Sequence, residues 1–360
     1  MLVYLIILLV LCCMGLQTAK KDAFSSGYLS KEQTGAINGI FVLIVFLSHA
    51  STYVELSGPL DAAYLTFKGY LRQLIVAPFL FYSGYGMLES IKKKGMAYVK
   101  SIPGKRFSKV LLHMEIAVTL FLLTDLAIGN RFDWKTTALS FTFWTSIGNS
   151  NWYIFAILCL YLIVFVSFLV CRANLYIGTA LTCVLSAGYA FVMIRAGKDS
   201  WWYNTAVLYA FGMLWSLFRP QIERLTAKND VTWFLSVGVL LVPYYLCYAR
   251  RDTHLAWYYL WGILFMALLV LVTMKVRIGN SVLSWFGSHV FSIYILQRIP
   301  MLVFRKLGLT DHRYSFITLS FCATLVLAVL FDAALEKLDK TIWGRQKPAL
   351  PATEGKAESE

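Results

Sequence analysis

Apolar runs alternate with short polar stretches along almost the whole chain. Runs long enough to cross a bilayer, or nearly so, fall at 2–16, 36–54, 66–90, 110–128, 152–170, 175–194, 203–218, 231–249, 255–274, 284–304 and 315–334. None shows strict alternation of apolar and polar residues. A helix satisfies its own backbone in lipid, whereas a lone strand does not. The pattern predicts an all-α fold, a polytopic transmembrane helix bundle of about 11 helices, forming one membrane domain over residues 1–343. The polar tail 344–360 (GRQKPALPATEGKAESE) reads as disordered and cytoplasmic. Loops are short, and no soluble domain fits between the runs.

The first run, MLVYLIILLVLCCMGL, lacks a basic leader and is followed by Lys20 and Lys21 instead of a small-residue cleavage site. It reads as a membrane helix or uncleaved anchor, although it is shorter than the usual span of about 17–25 residues.

Composition agrees. The chain is 59% hydrophobic and 14% charged, whereas soluble domains are about 25% charged. Its 33 Lys and Arg against 19 Asp and Glu give a net charge of +14. The positive residues lie between apolar runs, not on one face or tail, which argues topology and against nucleic acid. With the N-terminus outside, 21 Lys and Arg fall on the inner side and 9 on the outer. This positive-inside bias predicts a cytoplasmic C-terminus. The seven cysteines lie in or at the ends of apolar runs, without metal-ligand spacing, so neither a metal site nor a disulfide framework is expected.

Polar residues inside apolar runs are costly and mark candidate sites. Taken at 1.5 Å per residue, His49, Lys68, Arg72 and Arg298 share a level in the outer half of the bundle. Asp125 ends the fourth run near that level, Asn151 and Trp152 open the fifth, and Trp202, Tyr203 and Asn204 open the seventh. A water-accessible cavity opening outward explains such a layer. Pro78 is expected to kink the third run, with Ser83, Gly84 and Gly86 allowing close helix approach. His254, His289 and His312 read as structural or solvated. On the inner side, the loop 92–109 (KKKGMAYVKSIPGKRFSK) carries seven positive charges and no acid, and Arg106 and Lys109 stand where the chain re-enters the membrane. Such a cluster suits anionic headgroups or a phosphate-bearing ligand.

Several ordered motifs then resemble one family. The stretch from Asn38 to His49, Pro78-Phe-Leu-Phe-Tyr-Ser-Gly-Tyr85, Arg106-x-x-Lys109, Asn151-Trp-Tyr-Ile-Phe-Ala156, Trp202-Tyr-Asn-Thr205 and Ile293-Tyr-Ile-Leu-Gln297 resemble those of the membrane-bound acyltransferase 3 family. That family includes O-acetyltransferases of cell-surface polysaccharides. Asn38 departs from its usual Arg or Lys, and Lys109 from a second Arg. A ten-helix core is implied, with residues 1–16 as an extra helix.

The resemblance implies transfer of an acyl group, usually acetyl, from cytoplasmic acyl-CoA to a hydroxyl of an extracytoplasmic glycan or lipid-linked sugar, in a bacterial inner membrane. His49 is then the expected base or acyl carrier, and Arg72 and Arg298 the donors to the developing oxyanion. Arg106, Lys109, Ser83 and Tyr85 would bind the donor, and Lys68, Asn151, Trp152, Tyr203 and Asn204 the acceptor. Two other classes fit less well. A secondary transporter of a small anion also places charge at mid-membrane, but no internal repeat is visible. A catalytically inactive relative is suggested only by Asn38.

Overall fold

The computed structural model describes residues 1–344; the tail beyond, expected to be disordered, lies outside the described residues. The fold is an all-α bundle, and seven of its helical stretches are long and apolar enough to cross a membrane. The helices are α1 (Leu2–Cys13), α2 (Lys31–Ala50), α3 (Ala62–Leu71), α4 (Ala77–Ile102), α5 (Lys109–Ala127), α6 (Trp134–Phe141), α7 (Trp152–Val170) and α8 (Leu175–Arg195). They continue as α9 (Val207–Thr226), α10 (Asp230–Arg250), α11 (Leu255–Lys275), α12 (Ser281–Ser288), α13 (Val290–Leu296), α14 (Arg298–Lys306) and α15 (Arg313–Trp343).

The chain runs between two ends, called upper (Ala50) and lower (Lys31). At the lower end two short strands, β1 (Gln17–Thr18) and β2 (Val276–Arg277), pair antiparallel, Gln17 opposite Arg277. Helix α1 lies against the bundle from end to end. Near the top its Tyr4 hydroxyl donates to the Tyr314 carbonyl at 3.1 Å. Near the bottom the Asn280 amide donates to the carbonyls of Leu11 and Met14, both at 2.9 Å.

Two crossings set the geometry of the centre, and both depend on glycine. Where α4 meets α9, a Cβ on Gly84 would overlap the Tyr209 backbone, and one on Gly212 the Phe81 backbone. Where α2 meets α12, a Cβ on Gly39 would overlap the Leu283 carbonyl, and one on Gly287 the Gly35 backbone. Small residues let membrane helices touch backbone to backbone, which replaces the hydrophobic driving force missing in lipid.

Four expectations from the sequence are corrected. The run 66–90 is not one helix. It is α3, a 3₁₀ turn Arg72–Val76 and then α4, with Arg72 at φ +44°. Pro78 does not kink a helix but sits in the first turn of α4, where its missing N–H is no loss. The run 284–304 is three helices. Pro300 has no N–H for the Leu296 carbonyl, and the chain breaks between α13 and α14 there. The basic loop 92–109 is helical. Helix α4 bends at Gly95 (φ +53°), continues to Ile102 and passes through a π-helical turn, Pro103–Ser108, into α5.

Candidate functional site

Three cavities lie in a row through the bundle. The upper one, about 490 Å³, is walled by Ser48 and His49 at the end of α2, by Lys68 of α3, and by Arg72 and Gln73 of the 3₁₀ turn. Trp152, Trp201 and Tyr294 complete it. The break between α3 and α4 contributes to this wall, because it sets Arg72 and Gln73 of the 3₁₀ turn beside Ser48 and His49 of α2. Breaks in membrane-depth backbone are tolerated where they line a cavity.

Within it, His49 Nδ1 is buried and has no hydrogen-bond partner among the described residues. The same is true of Tyr294 Oη in the same wall, and of Gln297 Oε1 and Arg298 Nε, which lie behind the wall. Each unsatisfied buried polar atom costs about 1–3 kcal/mol, so a cluster of them asks for water or a ligand. Lys68 donates to Ser51 Oγ at 2.8 Å and to the Ser48 carbonyl at 3.4 Å. Arg298 donates to the Gly148 carbonyl at 3.3 Å. Arg72 is paired with Asp252 at the exposed rim.

The middle cavity, about 430 Å³, shares Tyr294 with the upper one. Asn38 and Thr34 of α2, Tyr82 and Ser83 of α4, and Tyr153 and Tyr161 of α7 line it. Ser83 Oγ and Tyr161 Oη are 3.4 Å apart. Asn38 Oδ1 and Tyr82 Oη have no partner among the described residues.

The lower cavity, about 560 Å³, shares Val110, Tyr161, Ser288 and Phe291 with the middle one. Lys105, Arg106 and Lys109 face Asp332, Glu336 and Asp339 of α15 across it. Arg106 Nε donates to Tyr98 Oη at 3.1 Å. Asp339 pairs with Lys109 and takes His113 Nε2 at 2.9 Å. Asp332 holds His289 and Ser292 together at the break between α12 and α13.

The structure therefore gathers His49, Lys68, Arg72 and Trp152 in one chamber, with Arg298 beside it. It puts Ser83 in the middle and Arg106 and Lys109 at the bottom. The remaining predicted residues stand outside the cavity walls. Tyr85 Oη accepts from Arg219 at 2.9 Å, Asn151 donates to the Phe143 carbonyl at 2.6 Å, and the Tyr203 carbonyl accepts from Tyr259 at 3.3 Å. Asn204 lies in the same turn, its N–H on the Ser200 carbonyl at 2.9 Å. Asp125 is bonded to Asn130 at 2.8 Å, away from the chamber.

Sequence reasoning quoted Tyr294 and Gln297 within the Ile293–Gln297 motif but gave them no site role, and it overlooked Asp332. Asp332 carried a legible signal, an acid inside an apolar run. The His289–Asp332 pair gives His289 a structural role, in line with its reading from the sequence.

Among known families, the model described as an acyltransferase domain matches residues 36–333, from the second turn of α2 to the lower half of α15. Searches of curated proteins and of solved structures returned no match.

Proposed function

Because the chain belongs to the membrane-bound acyltransferase 3 family, we propose that it moves an acyl group, acetyl in the first instance, from cytoplasmic acyl-CoA to a hydroxyl of an extracytoplasmic glycan or lipid-linked sugar. The setting is a bacterial inner membrane, with the upper end outside and the lower end in the cytoplasm. The row of three cavities carries this reading, cationic groups at its lower mouth and a buried imidazole in its upper chamber.

A polyanionic donor enters at Arg106, Lys105 and Lys109, where charge-assisted hydrogen bonds hold phosphate. Its neutral arm extends along the hydroxyl-lined middle cavity, toward Tyr294. The acceptor enters from above. A sugar hydroxyl is a poor nucleophile at neutral pH and needs a base in the transition state. His49, with a ring nitrogen free of protein partners, takes that proton as the hydroxyl oxygen attacks the thioester carbonyl. Arg298, with an unused Nε, stabilises the oxyanion. Collapse breaks the C–S bond, and the imidazolium returns its proton to the departing sulfur.

The test is acetyl transfer in membranes carrying wild type, His49→Ala or His49→Gln, with labelled acetyl-CoA and extracted surface glycan as readout. Loss of a general base lowers the rate by about 10²–10⁴-fold. Label reaching glycan at the wild-type rate in His49→Ala removes His49 from the chemistry.

A further inference from the structure

The upper chamber is unbalanced in charge. Lys68 and Arg72 line it, and no carboxylate does. Arg72 is answered at the rim by Asp252. Lys68 is not answered by any acid among the described residues, since its ammonium rests on one hydroxyl and one carbonyl. Arg298 likewise contacts only a carbonyl. A half-buried ammonium solvated by two neutral oxygens retains most of its attraction for an anion, because the low-dielectric wall does not screen it. One of these two cations suffices for the transient oxyanion. The other implies a negative charge that arrives with the acceptor.

The same chamber has two indole walls. Trp152 opens α7, and Trp201 belongs to the turn Ser200–Trp202, where its side chain is 47% exposed at the mouth. The Trp201 carbonyl accepts from Gln73, which ties this turn to the 3₁₀ turn that carries Arg72. An exposed indole fixed at a cavity mouth offers a flat apolar face of the kind against which the C–H face of a pyranose packs. Polar groups beside an aromatic wall then orient what binds.

We propose that the acceptor sugar is anionic, with its carboxylate or phosphate taken by Lys68 while its ring lies against Trp201 and Trp152. The acyltransferase reading above supplies the reaction; this inference adds the substrate class. A neutral sugar leaves Lys68 without a counter-charge, whereas an acidic one completes the chamber and brings its free hydroxyl under His49.

The experiment uses the full chain in proteoliposomes with acetyl-CoA and three acceptor probes of equal length: a galacturonate oligomer, a galactose oligomer carrying 6-phosphate, and a neutral galactose oligomer. The wild type is expected to show at least about tenfold higher kcat/KM for a charged probe than for the neutral one, the size of a single charge-assisted contact. Which charged probe leads identifies carboxylate or phosphate. Lys68→Met, which keeps the stem and removes the charge, brings the ratio to about one through KM, and Lys68→Arg restores it. Raising salt narrows the wild-type ratio, a readout that needs no variant. Trp201→Leu raises KM for all three probes, and Trp201→Phe recovers part of it.

Equal use of all three probes by the wild type overturns the inference and leaves the acyltransferase reading standing. A ratio that survives Lys68→Met also overturns it. If the wild type neither binds nor consumes acetyl-CoA, the acyltransferase reading fails first. Quenching of tryptophan fluorescence by the probes then decides the inference alone: charged probes bound over neutral ones, with the difference lost in Lys68→Met, sustain it, and equal binding refutes it.

Discussion

His49 and Tyr294 face each other across the boundary between the upper and middle cavities, their ring centroids 6.4 Å apart. Tyr294 belongs to both walls, so its ring is the partition. Its hydroxyl makes no bond to the protein among the described residues, so the ring's position does not depend on it, and Tyr294→Phe keeps the partition while removing at most one contact to a bound water or ligand. Tyr294→Phe should therefore keep the wild-type ratio of CoA released to acylated acceptor. Tyr294→Ala joins the two chambers and admits water to the reacting carbonyl. The ratio of CoA released to acylated acceptor should rise severalfold, and a ratio unchanged in Tyr294→Ala would show that the ring does not part donor from acceptor.

The donor mouth is held partly closed by its own acid. Asp339 occupies Lys109 and His113 together. Asp339→Asn keeps a hydrogen bond for His113 and frees the ammonium, so KM for acyl-CoA should fall about threefold to tenfold at low salt, with the gap closing as salt rises. Arg106→Ala acts in the opposite direction and should raise the same KM by about tenfold, the loss of one charge-assisted contact. Steady-state kinetics at two ionic strengths checks both. An Asp339→Asn enzyme with an unchanged low-salt KM would separate Lys109 from the donor.

Helix contact at Gly84 sets a steric limit. Gly84→Ala pushes a methyl into the Tyr209 backbone, and such overpacking costs about 1–3 kcal/mol. The melting temperature in detergent should fall by several degrees. Gly86→Ala, two residues on, meets open space and gains about 0.5–1 kcal/mol of helix propensity. Equal melting of the two variants would deny that the α4–α9 crossing is at its limit.

Asp332 is predicted to be a fastener for the broken tenth run. It accepts from His289, the residue at the junction between α12 and α13, and from Ser292 in the first turn of α13. Asp332→Ala leaves two donors without an acceptor, at about 1–3 kcal/mol each. Asp332→Asn retains one acceptor oxygen and should lose about half as much. Thermal unfolding of the two variants beside wild type reads the difference; identical values would make the carboxylate incidental.

Much of this protein was legible in its sequence because the bilayer allows few solutions. Apolar length and the absence of alternation determine an all-α membrane bundle, and acids or bases inside apolar runs are conspicuous in lipid. His49, Lys68 and Arg72 were picked out this way, Trp152 as the start of the fifth run, and one chamber gathers them. Depth along a helix can be counted from residue numbers, which is why their shared level was visible.

Rotation about the helix and breaks within it were not legible in the same way. Asn151, Tyr203, Asn204 and Tyr85 lie at suitable depths, yet their contacts hold loops and neighbouring helices. An apolar run that is hydrophobic all round has no face written into it. The break at Arg72, a non-glycine residue at positive φ, runs against local helix preference and has no signal in the sequence, whereas the break before Pro300 and the bend at Gly95 have local causes. The sequence by itself therefore determined an all-α membrane bundle and which polar groups its apolar runs carry inward, since these follow from solvation in a bilayer. Only the tertiary structure decided which of those groups meet, because van der Waals contact between helices, through glycines such as Gly84 and Gly212, fixes the azimuth that hydropathy leaves free.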